Sequence, residues 1–347
     1  MASRTAASSR PLRVGLIGLG GINRVHIEGY RLALDGAEVV AVCDNVERTV
    51  NERAAELGAA PYLDHQGLLA DADVDMVDVT LPHSLHYPVA RDALLAGKHV
   101  LVEKPLAVRS TQCRELIDLA LEGGLTLTVA ENTRFVAAYE ATRRLLGSGV
   151  LGRVRTVRTL IYGSEVRRLR QAGWVGSRDD AGGGVILDSG VHSYYLVEWL
   201  FGQVRQVRAT MGTLIPESEV EDHAVVTGTL EGDVVFTCEL TCTAELPWGE
   251  RLEVCAEHGA VIVDQLSNPV ALHYRGEDDF EPVALADVPF DPRGWKKTSI
   301  AAGVCDFVQS VREDRRPTVD VEDGFRAVLI AEKAYESVGA GGTEVVL

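Results

Sequence analysis

Apolar and polar residues in the first third of the chain follow the pattern of a parallel α/β sheet. Short apolar runs alternate with stretches of helical spacing between residues 12 and 130. The predicted strands are Leu12–Ile17, Glu38–Cys43, Val74–Thr80, His99–Val102 and Leu125–Val129. The helices predicted between them are 22–34, Glu47–Leu57, Ser84–Leu95 and Thr111–Leu121. This region is therefore expected to form a doubly wound sheet of the Rossmann type.

After Asn132 the pattern changes to that of an α+β domain. The predicted helices are Ala137–Leu146, His192–Leu200, Thr298–Val311 and Val321–Val338. The predicted strands are Val154–Tyr162, Val204–Gly212, Glu221–Leu230, Asp233–Thr241, Arg251–Ala256 and Ala260–Val263. Short turns between successive strands favour a large, mostly antiparallel sheet. We therefore predict a flexible arm at 1–11, a dinucleotide-binding Rossmann domain at 12–132 and an α+β domain at 133–347.

Composition narrows the class of protein. At 347 residues the chain is too long for one ordinary core, which favours two domains. A net charge of −17 argues against nucleic acid or an anionic membrane as the main partner. No apolar run reaches the length of a membrane span, and the N-terminus lacks the apolar core of a signal peptide. The six cysteines have no metal-binding spacing, so we predict no metal site. A structural disulfide is not expected in so large a core, which favours a reducing cytoplasm.

A glycine turn after the first predicted strand is the clearest signal for a nucleotide. The residues predicted to form it are Gly18, Gly20, Gly21 and Ile22. Gly18 permits a tight turn, Gly20 lets the backbone approach a pyrophosphate, and the following helix N-terminus supplies N–H groups. Asn23 stands in the place of the usual third Gly or Ala, so we expect this helix to lie slightly farther from the sheet.

An acidic residue ends the second predicted strand. Asp44 lies at the spacing from the glycines where a carboxylate binds ribose hydroxyls, and it would repel a 2′-phosphate. NAD is therefore preferred over NADP as the cofactor. Asn45 and Arg48 follow Asp44, and Arg48 could stack on adenine or bind a phosphate. Asp44 could equally cap the next helix.

Two distant segments carry residues suited to moving a proton. The segment Val100–Pro105 is an apolar strand that leads to Lys104, one of only five lysines. The segment Gly182–His192 places Asp188 and His192 four residues apart after three glycines. A lysine with a tunable pKa beside an Asp–His pair can take a proton from a hydroxyl.

Each of these residues also has a structural interpretation when it is taken alone. Lys104 could be a surface lysine after a strand. Asp188 and His192 could be a helix cap and a core histidine, or two metal ligands. No third ligand is indicated by spacing, which argues against a metal. The order of all three residues along the chain favours a common site.

The glycine turn, the segment Ala96–Pro105 and the segment Gly183–His192, in this order, resemble the glucose–fructose oxidoreductase/inositol dehydrogenase/MocA (Gfo/Idh/MocA) family. The resemblance extends from about Leu12 to Val338. The Glu-Lys-Pro and Asp-x-Gly-x-His patterns are specific together and modest alone. The resemblance implies an NAD(P)-dependent oxidoreductase that transfers hydride between a ring secondary alcohol and nicotinamide C4.

The resemblance assigns the proton chemistry to Lys104, Asp188 and His192. His192 would take the proton of the alcohol, and Lys104 would stabilise the developing alkoxide. Asp188 would bind the substrate hydroxyl and raise the basicity of His192. The glycines 182–184 would let the backbone pass close to the nicotinamide. A cis peptide bond at 103–104 or 104–105 is possible in such a fold.

The resemblance also implies contacts with cofactor and substrate. Further cofactor-binding residues would be Thr80, Leu81, Pro82, His86, Glu103 and Lys104. Substrate-binding residues implied by the resemblance would be Lys104, Arg134, Asp188 and His192. Asn132 is added because it lies at the predicted domain junction, where substrate pockets form, and Trp174 because it offers a flat ring to a sugar. Trp174 could stack on a sugar ring or simply anchor a loop. His83 lies in the same loop as His86, and it could instead be an ordinary histidine of a surface loop.

The substrate class expected from these observations is a sugar, an amino sugar or a cyclitol. The amino sugar is a hypothesis from charge, because acidic residues are expected to border the cleft. These residues are Glu131, Asp179, Asp180 and Glu245. Two alternatives remain open: an NAD-dependent glycosidase that oxidises its substrate transiently, and a non-catalytic NAD-sensing or sugar-sensing protein. The resemblance also implies that the domain at 133–347 serves substrate binding and oligomerisation, and that the outer face of its sheet forms a homodimer or homotetramer.

Overall fold

The computed structural model describes residues 10–33, 36–171, 173–266, 270–283, 285, 291 and 294–347. Residues 1–9 of the predicted arm and the end of the first predicted helix lie outside this set. The chain divides into two compact units. Unit 1 contains residues 1–107, 111–132 and 297–324, and unit 2 contains 108–110, 133–296 and 325–347.

Unit 1 is built on a parallel sheet. Its described strands are β1 Leu12–Ile17, β2 Ala37–Cys43, β3 Ala60–Tyr62, β4 Met76–Val79, β5 His99–Glu103 and β6 Leu127–Ala130. They lie in the order β3-β2-β1-β4-β5-β6, and all pairs are parallel. The order reverses at β1, which places the end of β1 beside the end of β4 at the position where such sheets bind nucleotides.

Helices connect the strands of unit 1. They are α1 Asn23–Leu32, α2 Glu47–Leu57, α3 His65–Asp71, α4 His83–Leu95 and α5 Ser110–Gly123. The central strands are apolar on both faces, because helices cover both sides of a parallel sheet. Strand β4 is fully buried and nevertheless contains Asp78, whose exposure is zero. A buried carboxylate needs partners, and the site described below supplies them.

Unit 1 also takes up a helix from near the end of the chain. Helix α11, Trp295–Glu313, places Val304, Phe307 and Val308 in the same apolar cluster as β1 and α1. A side chain at Gly29 of α1 would lie 2.6 Å from the Cβ of Val304, so this glycine permits close packing. The predicted domain at 133–347 did not anticipate this return, because helical spacing does not show which sheet a helix covers.

Unit 2 contains the larger sheet. Its described strands are β7 Val154–Tyr162, β8 Val204–Gly212, β9 His223–Leu230, β10 Val235–Thr241, β11 Gly249–Ala256, β12 Gly259–Asp264, β13 Ala271–Tyr274, β14 Glu281–Pro282 and β15 Val345–Val346. The order is β14-β13-β12-β11-β7-β10-β9-β8-β15. All neighbouring pairs are antiparallel except β7 and β10, which are parallel. The predicted fold class is confirmed.

Helices of unit 2 pack with this sheet around one large apolar cluster. They are α6 Ala137–Gly147, α7 Val166–Arg170, α9 Val185–Asp188, α10 Gly190–Phe201 and α12 Val321–Gly339, which begins in unit 1. A further short helix, α8 Arg178–Ala181, lies between α7 and α9 along the chain. The short elements β3, α3, α7, α8 and α9 were not predicted, because a few residues are too short to show a period. No helix in the described part of the chain is long and apolar enough to cross a membrane.

Candidate active site

The glycine turn of unit 1 has the geometry of a nucleotide-binding turn. Gly18 has φ +91°, and a Cβ there would lie 2.4 Å from the carbonyl oxygen of Thr80. A Cβ at Gly20 or Gly21 would meet nothing within 4 Å. The turn therefore needs glycine at its first position and offers open space over the next two. This arrangement fits a pyrophosphate held by N–H groups at the start of α1.

Asn23 ties the turn to the neighbouring strand. Its amide Nδ2 donates a hydrogen bond to Thr80 Oγ1 at 3.3 Å, and Thr80 Oγ1 donates to the carbonyl of Gly18 at 2.6 Å. Asn23 is fully buried. The residue that departs from the usual Gly or Ala thus has a structural role, and Thr80 has a place in the turn.

The carboxylate of Asp44 braces the glycine turn. It accepts hydrogen bonds from the backbone N–H of Leu19 at 2.9 Å and of Val46 at 3.0 Å. These bonds leave carboxylate lone pairs that could accept ribose hydroxyls. Asn45 and Arg48 are exposed, and Arg48 forms an ion pair with Glu52 at 3.0 Å. Asp44 thus combines bracing of the turn with the position expected for a ribose ligand.

His86 links two loops of unit 1. Its Nδ1 lies 2.7 Å from the carbonyl oxygen of Pro105, and its Nε2 lies 2.8 Å from that of Leu81. Burial and the neighbouring His83 lower the pKa of His86 to about 4, against the two carbonyl acceptors, which favour the protonated ring. His83 is also buried and lies edge-on to His86, unlike a surface-loop histidine. Direct contact of His86 or Pro82 with the cofactor stays a prediction.

Lys104 follows a buried carboxylate at the end of β5. The Glu103 carboxylate accepts the backbone N–H of Lys104 through Oε2 at 3.0 Å. Its other oxygen, Oε1, lies 3.0 Å from Nε2 of His26. The peptide bond between Lys104 and Pro105 is cis. The backbone at Lys104 is therefore held by a side chain that is itself held from α1.

His26 is the centre of a buried charged cluster that the sequence reasoning missed. Its Nδ1 lies 2.9 Å from Oδ2 of Asp78, and Tyr30 donates a hydrogen bond to the same oxygen at 3.0 Å. The cluster of His26, Tyr30, Asp78 and Glu103 is called the His26 cluster below. Its signal in the sequence was a polar stripe on α1 and one carboxylate inside the apolar run of β4.

Electrostatics of the His26 cluster favour a charged imidazole. Burial disfavours the cation, but Asp78 and Glu103 outweigh it and raise the pKa of His26 to about 10. Burial likewise opposes the charge of Glu103, yet hydrogen bonding to His26 and attraction to it lower the pKa of this carboxyl. Burial and the charge of Asp78 raise the pKa of Tyr30 well above its usual value. At pH 7 one cation therefore lies between two carboxylates.

In unit 2, Asp188 and His192 lie on two successive helices. Asp188 is the last residue of α9, and His192 lies in the first turn of α10 with 8% of its surface exposed. Ser189, whose backbone is helical, separates the two helices. Asp188 and His192 were predicted to lie one turn apart on one helix, but a junction between two helices separates them.

A buried carboxylate holds the start of α9. Glu221 accepts hydrogen bonds from the backbone N–H groups of Gly184 at 3.1 Å and Ile186 at 3.0 Å. Tyr335 donates to the same carboxylate at 2.7 Å. Burial and the charge of Glu221 raise the pKa of Tyr335 well above its usual value, so the phenol stays protonated. These residues, with Gly183, form what is called the Glu221 cluster.

The three consecutive glycines at 182–184 are explained by packing within unit 2. Gly182 has φ +74° and ends α8. A Cβ at Gly183 would lie 2.2 Å from the Tyr335 hydroxyl, and a Cβ at Gly184 would lie 1.9 Å from the carbonyl oxygen of Glu221. We expected these glycines to let the backbone pass close to the nicotinamide. The Glu221 cluster already requires glycine at 183 and 184.

The remaining predicted substrate residues have partners of their own. Asn132, in unit 1, donates a hydrogen bond to Ser299 Oγ at 2.7 Å. In unit 2, the Arg134 guanidinium lies 5.1 Å from the ring centre of Tyr195, and that of Arg168 lies 5.6 Å from Trp174. The described residues contain no group of three potential ligands that could hold a metal. Substrate binding by Asn132, Arg134 and Trp174 stays a prediction.

Comparison with known proteins identifies the class. The profile described as "Oxidoreductase family, NAD-binding Rossmann fold" matches residues 12–131, and the Gfo/Idh/MocA C-terminal domain matches residues 139–262. The chain therefore belongs to the Gfo/Idh/MocA oxidoreductase family. It is an NAD-dependent dehydrogenase, and the predicted family, enzyme class and cofactor are confirmed.

Individual relatives agree with this family. The chain is 34% identical over 274 residues, 76% of each protein, to a dTDP-3,4-didehydro-2,6-dideoxy-α-D-glucose 3-reductase of Streptomyces violaceoruber. It is 29% identical over 349 residues, 96% of this chain and 95% of the relative, to an inositol 2-dehydrogenase of Saccharopolyspora erythraea. The structure of a levoglucosan dehydrogenase with NADH and levoglucosan has a TM-score of 0.88 at 22% identity. It covers 97% of this chain and 99% of that protein, and at this identity it supports the fold.

Proposed function

We propose that the protein transfers hydride between NAD and a ring secondary alcohol of a sugar, amino sugar or cyclitol. The observation that carries the proposal is the position of Lys104, which directly follows the buried Glu103 at the end of β5. This lysine shares a unit with an open glycine turn suited to a dinucleotide. The relatives support the substrate class, because they include a reductase of a deoxy sugar and a dehydrogenase of inositol.

The cofactor site proposed for NAD consists of the glycine turn and the groups that brace it. Backbone N–H groups at the start of α1 would hold the pyrophosphate, and Asp44 would bind the ribose. The loop that begins at Thr80 is tied to Gly18 and would lie towards the nicotinamide. NAD, when bound, supplies the hydride acceptor.

Three residues are proposed to handle the proton. His192 accepts the proton of the alcohol, and Lys104 donates a hydrogen bond to the same oxygen as negative charge develops there. Asp188 binds a substrate hydroxyl and orients His192. In the reverse direction His192 returns the proton to the oxygen of a ketone. The helix junction at Ser189 would keep Asp188 and His192 on separate helices.

A substrate panel tests the proposal. NADH absorbance is followed with NAD and NADP across sugars, amino sugars and inositols. We expect turnover with NAD on at least one compound and loss of at least about a hundredfold in kcat for Lys104→Ala. NADH affinity should fall much less than kcat in this variant, because the glycine turn and Asp44 form most of the proposed cofactor site. Lys333→Ala is the matched control, because Lys333 pairs with Glu336 on α12. A Lys104→Ala protein with parental kcat would exclude the proposed role.

The same panel separates two alternative functions. An NAD-dependent glycosidase would cleave a glycoside without net NADH release, because it returns the hydride within each turnover. A sensing protein would bind NADH or a sugar and show no turnover. The joint presence of Lys104, Asp188 and His192 supports the dehydrogenase over the sensor. Net NADH formation in proportion to oxidised sugar would support the dehydrogenase over the glycosidase.

The amino-sugar substrate is the narrower form of the proposal. Asp179 and Asp180 are exposed on α8, and the chain carries a net charge of −17, so a cationic substrate would meet favourable potential. An amino sugar and its neutral hydroxy analogue are compared at low salt. We expect a higher kcat/KM for the amino sugar, and equal values would exclude this form.

The oligomeric state is proposed to be a homodimer or homotetramer. Unit 2 exposes Val225 and Val235 on the same face of the adjacent strands β9 and β10. Exposed apolar side chains on one sheet face favour association with a second copy. Sedimentation velocity at micromolar concentration tests this. A single species of monomer mass would contradict it.

A further inference from the structure

The His26 cluster brings four ionisable side chains together in the interior of unit 1. His26 and Asp78 have no exposed surface, and Glu103 is buried. Replacing buried ion pairs by apolar residues is often neutral or stabilising, so burying these charges is not explained by stability alone. The cluster lies directly behind Lys104, because Glu103 is both its outer member and the preceding residue.

We infer that His26 is a positioning residue, which sets the backbone at Lys104 through the carboxylate of Glu103. This inference rests on the proposed function of Lys104. The connection is continuous: Asp78 on β4 holds Nδ1 of His26 at 2.9 Å, and Nε2 of His26 holds Glu103 Oε1 at 3.0 Å. Glu103 Oε2 then accepts the N–H of Lys104 at 3.0 Å. On the side away from Lys104, Glu103 is thus bonded to His26, and His26 is bonded to Asp78.

The charge of His26 is what makes this connection rigid. A neutral imidazole donates one hydrogen bond, whereas both ring nitrogens here face carboxylate oxygens. Charge-assisted hydrogen bonds are shorter and stronger than neutral ones. The groups facing His26 are Asp78 from β4 and Glu103 from β5, and Tyr30 of α1 adds a bond to Asp78. The His26 pKa of about 10 keeps both bonds through neutral pH.

Loss of the cation should release Glu103. Without a buried partner, a carboxylate either takes up a proton or turns towards water. Both outcomes weaken its bond to the Lys104 N–H. The expected effect of His26→Gln is a fall in kcat of roughly ten- to a hundredfold, since small misplacement of a reacting group has this cost. The glycine turn is not part of the cluster, so the Kd for NADH should change by less than about twofold.

A substrate-free measurement reads the position of Lys104 directly. The chain has five lysines, so reductive methylation with carbon-13 gives few NMR signals. The Lys104 signal is assigned from Lys104→Ala. We expect it to shift in His26→Gln and to keep its place in His65→Gln. His65 is the matched control, because it also pairs with a carboxylate of unit 1, Asp92, at 2.9 Å. An unmoved Lys104 signal in folded His26→Gln would overturn the inference.

A second pair of variants covers the case in which His26→Gln does not fold. Glu103→Gln keeps an oxygen that can accept the Lys104 N–H, whereas Glu103→Ala does not. We expect Glu103→Gln to recover at least roughly tenfold in kcat over Glu103→Ala, on the best substrate of the panel. Equal kcat values for the two variants would contradict the inference.

The inference and the proposed function can fail separately. If Lys104→Ala turns over like the parent protein, the proposed function fails. If Lys104→Ala is inactive and His26→Gln keeps parental kcat, the inference alone fails. Nitrogen-15 NMR of the imidazoles supplies a further independent test. The His26 signals should remain those of an imidazolium at pH 8.5, and a neutral ring at that pH would contradict the role of its charge.

Discussion

The His26 cluster of unit 1 and the Glu221 cluster of unit 2 solve one problem in two ways. Each holds, through a buried carboxylate, the backbone of a segment that carries predicted catalytic residues. Glu103 accepts the N–H of Lys104, and Glu221 accepts the N–H groups at the start of α9, which ends at Asp188. The first carboxylate is balanced by an imidazolium, and the second is satisfied by backbone N–H groups and the phenol of Tyr335.

The difference is one of sensitivity to pH and to shape. A cluster that contains a cation depends on the protonation of that cation, whereas N–H groups and a phenol do not titrate near neutral pH. The Glu221 cluster instead depends on close packing, because two glycines allow Tyr335 and the backbone of Glu221 to approach. We therefore expect changes of charge or protonation to destabilise the His26 cluster. Added side-chain volume should destabilise the Glu221 cluster.

The largest effect should come from a methyl group in the Glu221 cluster. A Cβ at Gly184 would lie 1.9 Å from a backbone oxygen, which no side-chain rotation can relieve. We expect Gly184→Ala to lower the free energy of unfolding by more than about 3 kcal/mol, measured by urea denaturation. Gly147→Ala, where a Cβ meets nothing within 4 Å, is the control and should be close to neutral. Similar stability of both variants would remove the steric half of the comparison.

A smaller effect should appear in the pH dependence of unit 1. The pKa of His26 is raised from 6.5 to about 10, so its stabilisation is complete below pH 6.5 and is lost as pH passes about 10. Between pH 7 and 9 this should cost the parent protein on the order of 2 kcal/mol. The double variant His26→Gln/Asp78→Asn, which removes the cation and one carboxylate together, should not show this loss. Parallel stability curves for the two proteins would refute the charged state.

The charge of Glu221 should matter less, and equally at both pH values. Glu221→Gln loses acceptor capacity for N–H groups of α9, at a cost of roughly 1–3 kcal/mol. The change in unfolding free energy should be the same at pH 7 and pH 9, because the groups shown to bond Glu221, two backbone N–H groups and the Tyr335 phenol, do not titrate there. A cost that grows between these values would show that the two clusters do not differ as described.

The smallest effects should come from the two phenols. Tyr30→Phe and Tyr335→Phe each remove one hydrogen bond to a buried carboxylate, at 3.0 Å and 2.7 Å. We expect a loss of about 1 kcal/mol for each in thermal or urea unfolding, because each carboxylate keeps its other donors. Tyr335→Phe should also disturb kcat less than His26→Gln, because Glu221 keeps its backbone donors. The reverse order of kcat effects would weaken the assignment of His26 as the positioning residue.

Much of the fold could be predicted from period and turn residues. Strands β1, β7 and β8 and helix α2 have the predicted ends, because glycine or polar residues bound clear apolar patterns. The destination of α11 could not be predicted in this way. Its amphipathic spacing is compatible with either sheet, and the choice depends on Gly29, which provides room for Val304.

The candidate site was only partly visible in the sequence. Gly18 and Lys104 follow strands and carry recognisable chemistry, so their positions could be predicted. His26, 77 residues from Glu103 along the chain, could be linked to it only by the fold. Gly184 was expected to make room for the nicotinamide, because the sequence does not show that the backbone of Glu221 approaches it. The site roles themselves stay predictions until the variants are measured.

The return of α11 has a consequence for synthesis on the ribosome. Residues 1–132 contain every strand of the parallel sheet, but Val304, Phe307 and Val308 of its core arrive about 170 residues later. At synthesis rates of about 5–20 residues per second, this delay is on the order of ten seconds or more. A nascent chain would hold the dinucleotide-binding sheet with one apolar flank open for that time. A fragment ending at residue 132 should therefore need α11, added as a peptide, to stay in solution.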